Sequence, residues 1–202
     1  LSTLCSESDF SEQVPELTGR KMHMKKNQLI LINSYPFPAM FYIVKGMVRI
    51  GGYLEQESET TYCLLPEDHI FTARTHAESR WSNFAQACTD EVELRVYQEH
   101  QLKPYLHQDR PYALDLADLH QKYISSMERH AQMLACTHIH QKLTLFVLFL
   151  AELYGYRRQG ITYVPHSFTH QEIGRILNIS RQTITQTLRQ LQGDGLLDYH
   201  RG

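Results

Sequence analysis

The hydrophobic positions follow two different periods, one before and one after residue 110. In the first part, short apolar runs are separated by turn formers such as Gly46 and Pro66, a pattern typical of strands in a sandwich, roll or barrel. The seven apolar runs are Leu29–Ile32, Met40–Val44, Met47–Ile50, Tyr62–Leu65, His69–Thr72, Trp81–Ala87 and Val92–Tyr97. We therefore predict an amino-terminal β-domain, preceded by a polar segment over residues 1–19 with a short helix near residues 7–13.

The second part has the period of an α-helix. Neither Gly nor Pro occurs between Pro111 and Tyr154, and Pro111 and Gly155 suit the two ends of a helical segment. A break near residues 136–138 divides it into a long helix and a more apolar helix over residues 139–154. A Gly-containing link over residues 156–165 follows.

The long helix carries a heptad repeat of apolar positions, with spacings that alternate between four and three. One frame of this repeat contains Ala113, Ala117, His120, Ile124, Met127, Ala131 and Leu134. A second frame fits equally well and contains Leu116, His120, Tyr123, Met127, His130 and Leu134. We expect a second copy of the same helix to cover this seam, because sustained heptads are typical of coiled coils. The alternative is that the seam packs only on its own β-domain.

The segment over residues 168–202 predicts two short helices joined by a tight turn. Thr169 with Glu172 three residues later predicts a capping box, Asn178 suits a left-handed turn, and Ser180 caps the second helix. The inward-facing positions are predicted to be Ile173, Ile176, Leu177, Ile179, Ile184, Leu188 and Leu191, and a further strand is expected to begin at Leu196–Leu197.

Polar side chains occupy the outer face of the second helix, at Arg181, Gln182, Thr185 and Gln186. Arg can bond two acceptors on guanine, and Gln can bond adenine bidentately. The pattern therefore predicts a helix that enters the major groove of DNA. The alternative is a helical hairpin that merely packs.

Composition adds little to this prediction and excludes several classes of protein. The net charge is −2, and residues 165–202 contain four arginines against three acidic residues, so non-specific DNA affinity should be modest. No apolar run approaches the roughly 20 residues of a membrane span, and no signal-peptide pattern is present. We expect a cytoplasmic protein without membrane contact, and a few residues upstream because the chain begins at Leu1 rather than Met.

The four cysteines are scattered and form no C-x-x-C pair, which excludes the usual spacing of zinc and iron–sulfur sites. Most are expected to be small buried hydrophobes. The cysteines are Cys5, Cys63, Cys88 and Cys136.

Two segments of the terminal module resemble the signature of a known family. T-x-Q-E-I-G at Thr169–Gly174 and I-S-R-Q-T-I at Ile179–Ile184 are similar to the winged helix-turn-helix of the cyclic-AMP receptor protein and fumarate–nitrate regulator (Crp/Fnr) family of bacterial transcription regulators. Phe41–Val48 resembles the Y-I-V-x-G-x-V turn of that family's effector β-roll. The heptad helix takes the place of the family's dimerisation helix.

The resemblance implies an α+β fold with three parts. These are an amino-terminal β-roll over residues 1–108 (a double-stranded β-helix, like a cyclic-nucleotide-binding domain), a long dimerisation helix over 109–137, and a carboxyl-terminal winged helix-turn-helix over 138–202. The second strand of the wing is expected beyond Gly202. The implied function is that of a homodimeric regulator, not an enzyme, which binds an inverted-repeat DNA site, RNA polymerase and a small-molecule effector.

Residue roles also follow from the resemblance. Base reading falls on Arg181, Gln182 and Gln186, and phosphate contacts fall on Thr169, His170, Ser180, Thr183 and His200. The dimer contacts fall on His120, Ile124, Met127, Ala131 and Leu134. The best-known members have Glu at the place of Gln182 and Arg at the place of Gln186. We therefore expect an operator that keeps a guanine read by Arg181 and differs at neighbouring base pairs.

The effector is not expected to be cyclic AMP. The family's nucleotide pocket needs Gly-Glu and then Arg-Ser, whereas this chain has Glu67–Thr72 and then Arg80–Trp81. Met127–Glu128 stands where Thr-Ser reaches the adenine. An apolar or aromatic organic ligand between roll and helix is one candidate effector, while plain core packing is the favoured interpretation for any single aromatic residue. The pocket is predicted to be lined by Phe71, Arg80, Trp81, Tyr123 and Met127.

Histidines offer a second kind of sensor. The chain has 12 of them, and haem is an alternative effector with axial ligands from the set His69, His76, His120 and His130, near Cys63. His120 and His130 in the dimer seam are also expected to make dimer geometry pH-sensitive.

Two rival functions are weaker. A cupin-like metal enzyme needs His-x-His plus Glu on adjacent strands, but the chain's His-x-His is His138–His140 at a helix junction. No nucleophile–base constellation is apparent, so we expect neither a metal site nor an enzyme. The other rival is a dimeric scaffold that has lost DNA binding.

Overall fold

The structure is a computed structural model that describes residues 19–54, 58–73, 82–108, 110–165 and 168–199. The strands are β1 Arg20–Lys25, β2 Leu29–Leu31, β3 Ala39–Lys45, β4 Val48–Leu54, β5 Ser58–Leu65, β6 Ile70–Ala73, β7 Ser82–Ala87, β8 Glu91–Gln98, β9 Tyr156–Arg158 and β10 Ile161–Tyr163. The helices are α1 Glu99–Gln108, α2 Arg110–Ala135, α3 Ile139–Tyr154, α4 His170–Leu177 and α5 Arg181–Gly193. The described residues form two compact units, one within residues 19–50 and 65–126 and one within residues 51–64 and 127–199.

The first unit contains an antiparallel sheet of order β1-β8-β3-β6, whose strand β3 is buried on both faces over residues 39–43. On one face, Phe41 of β3 pairs with Phe71 of β6, and their rings stack in parallel with centroids 4.7 Å apart. Because side chains alternate along a strand, the neighbouring residues point to the opposite face. There they form a cluster with the helices, made of Met40, Tyr42, Ile70, Tyr97, Leu102, Leu116 and Leu119.

The second sheet has the order β2-β7-β4-β5. The hairpin residues 51–64 of β4 and β5 belong to the second unit. All seven predicted apolar runs fall in or at strands, which confirms the predicted β-domain.

Two elements of the first unit were not predicted as such. β1 is an edge strand paired with β8, and only Met24 of its six residues is buried, so it has no apolar run to reveal it. α1 follows β8 directly and contains Pro104 in its interior, where sequence signals argue against a helix.

The long helix has an inward and an outward face, which the two heptad frames could not separate. Leu116 and Leu119 pack in the cluster of the first unit, and His130 and Met133 are buried further along the helix. The expectation that His130 lies in a seam open to a partner is therefore wrong. The heptad frame that begins at Ala113 is largely outward. Its residues Ala117, His120, Ile124, Met127 and Ala131 are exposed, and Leu134 is half-buried. The predicted break after α2 and the end of α3 at Gly155 are confirmed.

The second unit contains a hairpin where a plain link was expected. β9 and β10 pair antiparallel around Gln159 and Gly160, whose positive φ angles of 51° and 82° suit a two-residue primed turn. Leu196 and Leu197 are not part of a strand, so the expected start of the wing is absent from the described residues 168–199.

Within the described ranges, no helix combines the length and the apolarity that crossing a membrane requires. Cys63 and Cys88 are buried as expected, while Cys136 is half-exposed and Cys5 lies outside the described residues.

Gly46 provides a test of the turn between β3 and β4. It has a φ of +90°, and an added Cβ would collide with the carbonyl oxygen of Glu91. We expect Gly46→Ala to lower the free energy of unfolding by more than about 1 kcal/mol, measured by urea denaturation. Gly160→Ala is the control, since Gly160 also has a positive φ of +82° but no atom within 4 Å of an added Cβ. Equal losses in the two variants would contradict the steric argument.

Candidate nucleic-acid interface

The first helix of the terminal module begins at a complete capping box. The Thr169 hydroxyl accepts from the Glu172 N–H at 3.2 Å, and the Glu172 carboxylate accepts from the Thr169 N–H at 2.6 Å. Both otherwise unsatisfied N–H groups are thereby paired. The predicted cap is confirmed.

The turn between α4 and α5 depends on two special backbone positions. Asn178 is left-handed, with φ 55° and ψ 45°, as predicted. Gly174 lets the turn approach α4 closely, because a Cβ there would lie 2.6 Å from the Ile179 carbonyl oxygen. Ser180 then caps α5, with its hydroxyl accepting from the Thr183 N–H at 3.2 Å.

Apolar side chains between α4 and α5 determine which face of α5 points outward. Six of the seven positions predicted to face inward are buried, and Ile179 is half-buried. The six are Ile173, Ile176, Leu177, Ile184, Leu188 and Leu191. The side chains predicted to read bases, Arg181, Gln182 and Gln186, are exposed on the opposite face.

Thr185 is engaged within the module, although its position also lies on the outer face. Its hydroxyl donates to the Arg181 carbonyl oxygen at 2.9 Å. Because the hydroxyl hydrogen is used in that bond, the Thr185 oxygen accepts from His170, whose Nδ1 lies 2.8 Å away. Thr185 therefore links the second helix to the first turn of α4.

The predicted phosphate contacts lie at the amino ends of the two helices. Thr169 and Ser180 are the caps of α4 and α5, and the Ser180 and Thr183 hydroxyls are 2.7 Å apart. Exposed N–H groups and the helix dipole favour anions at such ends. His170 is the first residue of α4 and contacts the Thr185 hydroxyl, whereas His200 lies outside the described residues.

The structure describes only three of the five predicted effector residues. Phe71 is stacked on Phe41 in the core of the first unit, and Tyr123 is half-buried on α2. Met127 lies in the second unit, and Arg80 and Trp81 lie outside the described residues.

Two of the candidate haem ligands make hydrogen bonds within the protein. Nδ1 of His69 donates to the Glu67 carbonyl oxygen at 3.0 Å, and Nε2 accepts from the Ser126 hydroxyl at 2.9 Å. Nδ1 of His120 bonds the Leu116 carbonyl oxygen at 2.8 Å, and His76 lies outside the described residues. Among the described residues, no group of three or more His, Cys, Asp or Glu side chains is arranged to hold a metal ion.

Several polar contacts in the structure were not predicted from the sequence. Tyr42 donates to Asp68 at 2.9 Å, and Lys122 pairs with the same carboxylate. Arg49 lies inside an apolar run, and yet its guanidinium is buried over the Phe84 ring, 4.9 Å from the centroid. Each partner is distant in sequence, so no local pattern could have indicated the pair.

His130 and Thr61 form another such contact, inside the second unit. A carbonyl oxygen can only accept, so Nε2 of His130 donates to the Thr61 carbonyl oxygen, at 3.3 Å. Nδ1 is buried and has no hydrogen-bond partner among the described residues. Burial lowers the pKa of His130 below its usual 6.5, because the charged ring would be desolvated, and the bond to Thr61 opposes this only in part.

Known proteins share the terminal module and much of the chain. Residues 141–202 match the model of the Crp-like helix-turn-helix domain. Over 98% of its length the chain is 25% identical to Electron transport regulator A of Shewanella oneidensis, covering 80% of that protein.

Solved structures extend the similarity to the whole fold. A mutant of CooA from Carboxydothermus hydrogenoformans aligns with 97% of this chain and 89% of its own, at a TM-score of 0.75 and 16% identity. A transcriptional regulator of the CRP family from Thermus thermophilus aligns with 89% of this chain and 88% of its own, at a TM-score of 0.71 and 16% identity. The expected Crp/Fnr-like fold is thereby confirmed.

The buried His130 predicts a pH-dependent stability. The unfolded chain takes up a proton at the ordinary pKa of 6.5, while the folded chain does so only at a lower pH. The free energy of unfolding should therefore be highest above pH 6.5 and decline as the pH falls from 6.5 toward the folded-state pKa. Thermal unfolding of the full chain across this range measures the decline.

The matched variants are His130→Gln and His140→Gln. Gln at position 130 cannot titrate and should flatten the pH profile, whereas loss of His140, which is exposed on α3 and outside the dimer stripe, should leave it unchanged. A profile of the same slope in all three proteins would show that His130 is not responsible.

Proposed function

The chain carries a Crp-like helix-turn-helix domain on the fold of Crp/Fnr transcription regulators, and we propose that it binds an inverted-repeat DNA site as a homodimer. The observation that supports this proposal most directly is the exposed row Arg181, Gln182 and Gln186 on a helix whose other face is buried. Arg181 then reads a guanine, and the two glutamines read adenines beside it. Phosphate contacts come from Thr169, His170, Ser180, Thr183 and His200.

The proposed dimer contact is the outward heptad frame of α2. Ile124 is 47% exposed and Met127 is 36% exposed, and His120 and Ala131 lie on the same stripe, with half-buried Leu134 at its end. An exposed apolar stripe on a long helix is typical of a coiled-coil partner surface. In the proposed dimer, the two recognition helices must lie about 34 Å apart to enter successive major grooves.

The proposed sensor is the β-roll over residues 1–108, with residues 109–137 as the dimer helix and 138–202 as the DNA-binding domain. An effector other than a cyclic nucleotide shifts the population of dimer conformers and so repositions the recognition helices. We keep Phe71, Arg80, Trp81, Tyr123 and Met127 as the proposed effector contacts. We also propose that the protein binds RNA polymerase, is located in the cytoplasm and is not an enzyme.

Base reading is tested by selecting the preferred operator and changing the reading residues. Arg181→Ala should cost about 1–3 kcal/mol of operator binding and relax the preference at the guanine it reads. Gln182→Glu should change the preferred base from adenine to cytosine, since a carboxylate accepts from the cytosine amino group. Gel shifts and repeated selection measure both effects.

Arg157→Ala is the charge-matched control, because Arg157 is also exposed but lies on β9. It should keep the wild-type sequence preference. If Arg181→Ala retained the same preference and affinity as this control, α5 would not be the reading element.

The dimer is tested by placing a charge on the outward stripe. Ile124→Asp should convert the native particle to a single chain and weaken operator binding at least tenfold, because an unpaired carboxylate resists burial in the seam. Native mass spectrometry and gel shift measure the two effects. Ser125→Asp adds the same charge at an exposed position beside the stripe and should stay dimeric. A wild-type protein of monomer mass would refute the dimer.

A further inference from the structure

Thr61 of β5 contacts the turn of the helix-turn-helix from far away in the sequence. The Thr61 N–H donates to Oδ1 of Asn178 at 3.2 Å, and Nδ2 of Asn178 donates back to the Thr61 carbonyl oxygen at 3.2 Å. The Asn178 amide thus pairs with the Thr61 backbone at two points. Both residues belong to the second unit, although 117 positions separate them.

The Thr61 side chain holds the end of the preceding helix. Its hydroxyl donates to the Arg175 carbonyl oxygen at 2.9 Å. Arg175 lies in the last turn of α4, where carbonyl groups have no partner within the helix. His130 also donates to the Thr61 carbonyl oxygen, and Thr61 is fully buried. We call this set of contacts, from Thr61 to Asn178, Arg175 and His130, the Thr61 clasp.

The clasp acts on the segment that sets the direction of α5. Asn178 is the left-handed residue of the turn, and α5 begins at Arg181, only three residues later. A small rotation at the turn therefore moves Arg181 and Gln182 together. Base readout by bidentate bonds tolerates little displacement, because both bonds must be formed at once.

The clasp supports the reading face and does not cover it. Arg181, Gln182 and Gln186 remain exposed while the clasp is formed. We propose that Thr61 is a positioning residue for DNA recognition, which acts through Asn178 and Arg175 on the orientation of α5. This inference rests on the proposed function. It also makes the β4–β5 hairpin part of the DNA-reading unit, so that displacing the hairpin moves the turn directly.

Two variants remove different parts of the clasp. Thr61→Val keeps the shape of the side chain and deletes the bond to Arg175, and Thr61→Ser restores the hydroxyl. Asn178→Gly keeps the left-handed conformation and deletes both amide bonds. Thr72→Val, at an exposed threonine of β6, is the matched control.

The first measurement is the dissociation constant of the full chain for its selected operator and for unrelated DNA at one salt concentration. We expect Thr61→Val to raise the operator constant about 3–10-fold and Asn178→Gly about 10-fold or more, from the loss of one and two buried hydrogen bonds. Binding to unrelated DNA should stay within about twofold, because it depends on phosphate contacts. Thr61→Ser and Thr72→Val should behave like wild type.

The second measurement needs no DNA. Hydrogen exchange at the Thr61 amide should be faster in Asn178→Gly than in wild type, because that amide loses its acceptor. Unchanged exchange, unchanged operator affinity in both variants, or an equal loss for operator and unrelated DNA would each overturn the positioning role. If Thr61→Val fails to fold, Asn178→Gly decides the operator test. If wild type binds no inverted repeat, the proposed function itself fails, whatever the exchange result.

Discussion

The packing of α4 against α5 is the constraint on which the proposed DNA readout depends. Six aliphatic side chains are buried between and beneath these two short helices, and their burial fixes which side of α5 faces solvent. Neither helix is long enough to be stable alone in water, so both rely on this contact and on their caps. The capping box at Thr169 and the hydroxyl cap at Ser180 satisfy the N–H groups that the apolar contact cannot. The polar row of α5 is thus outward as a consequence of what is buried.

In the longer helix α2, too, burial of one face determines which face is exposed. Leu116 and Leu119 pack against the sheet of the first unit, which leaves Ile124 and Met127 on the other side of the helix. A helix of 26 residues with apolar positions on two faces needs two partners, and among the described residues Ile124 and Met127 remain exposed. The proposed second copy is the simplest partner for the other face, since it carries an identical stripe.

Polar contacts between segments that are distant in sequence fix the arrangement of the second unit. Thr61 meets Asn178 and Arg175 through backbone groups and a hydroxyl, and His130 adds a buried donor to the same carbonyl oxygen. Such contacts stabilise one arrangement strongly, because a buried polar group without its partner is costly. They join the β4–β5 hairpin to the reading helices, whereas hydrophobic packing alone would permit neighbouring arrangements.

Local sequence patterns predicted those elements that depend on residues close together in the chain. The apolar runs predicted the strands, Thr169 and Ser180 predicted the helix starts, and Asn178 predicted the left-handed turn, because each depends on residues within one or two turns of the chain. The edge strand β1, with one buried residue, and α1, with an internal proline, were missed because neighbours outside the segment stabilise them.

Only the tertiary structure decided which side of α2 faces inward and where His130 lies. The buried residues Leu116, Leu119, His130 and Met133 as a set match neither heptad frame, and the sheet that buries Leu116 and Leu119 is formed by residues far away in the sequence. The Thr61 clasp is invisible in the sequence for the same reason, since a threonine in a strand carries no local sign of a partner 117 residues later. Periodicity reports that a face is apolar, but only the folded chain determines what covers it.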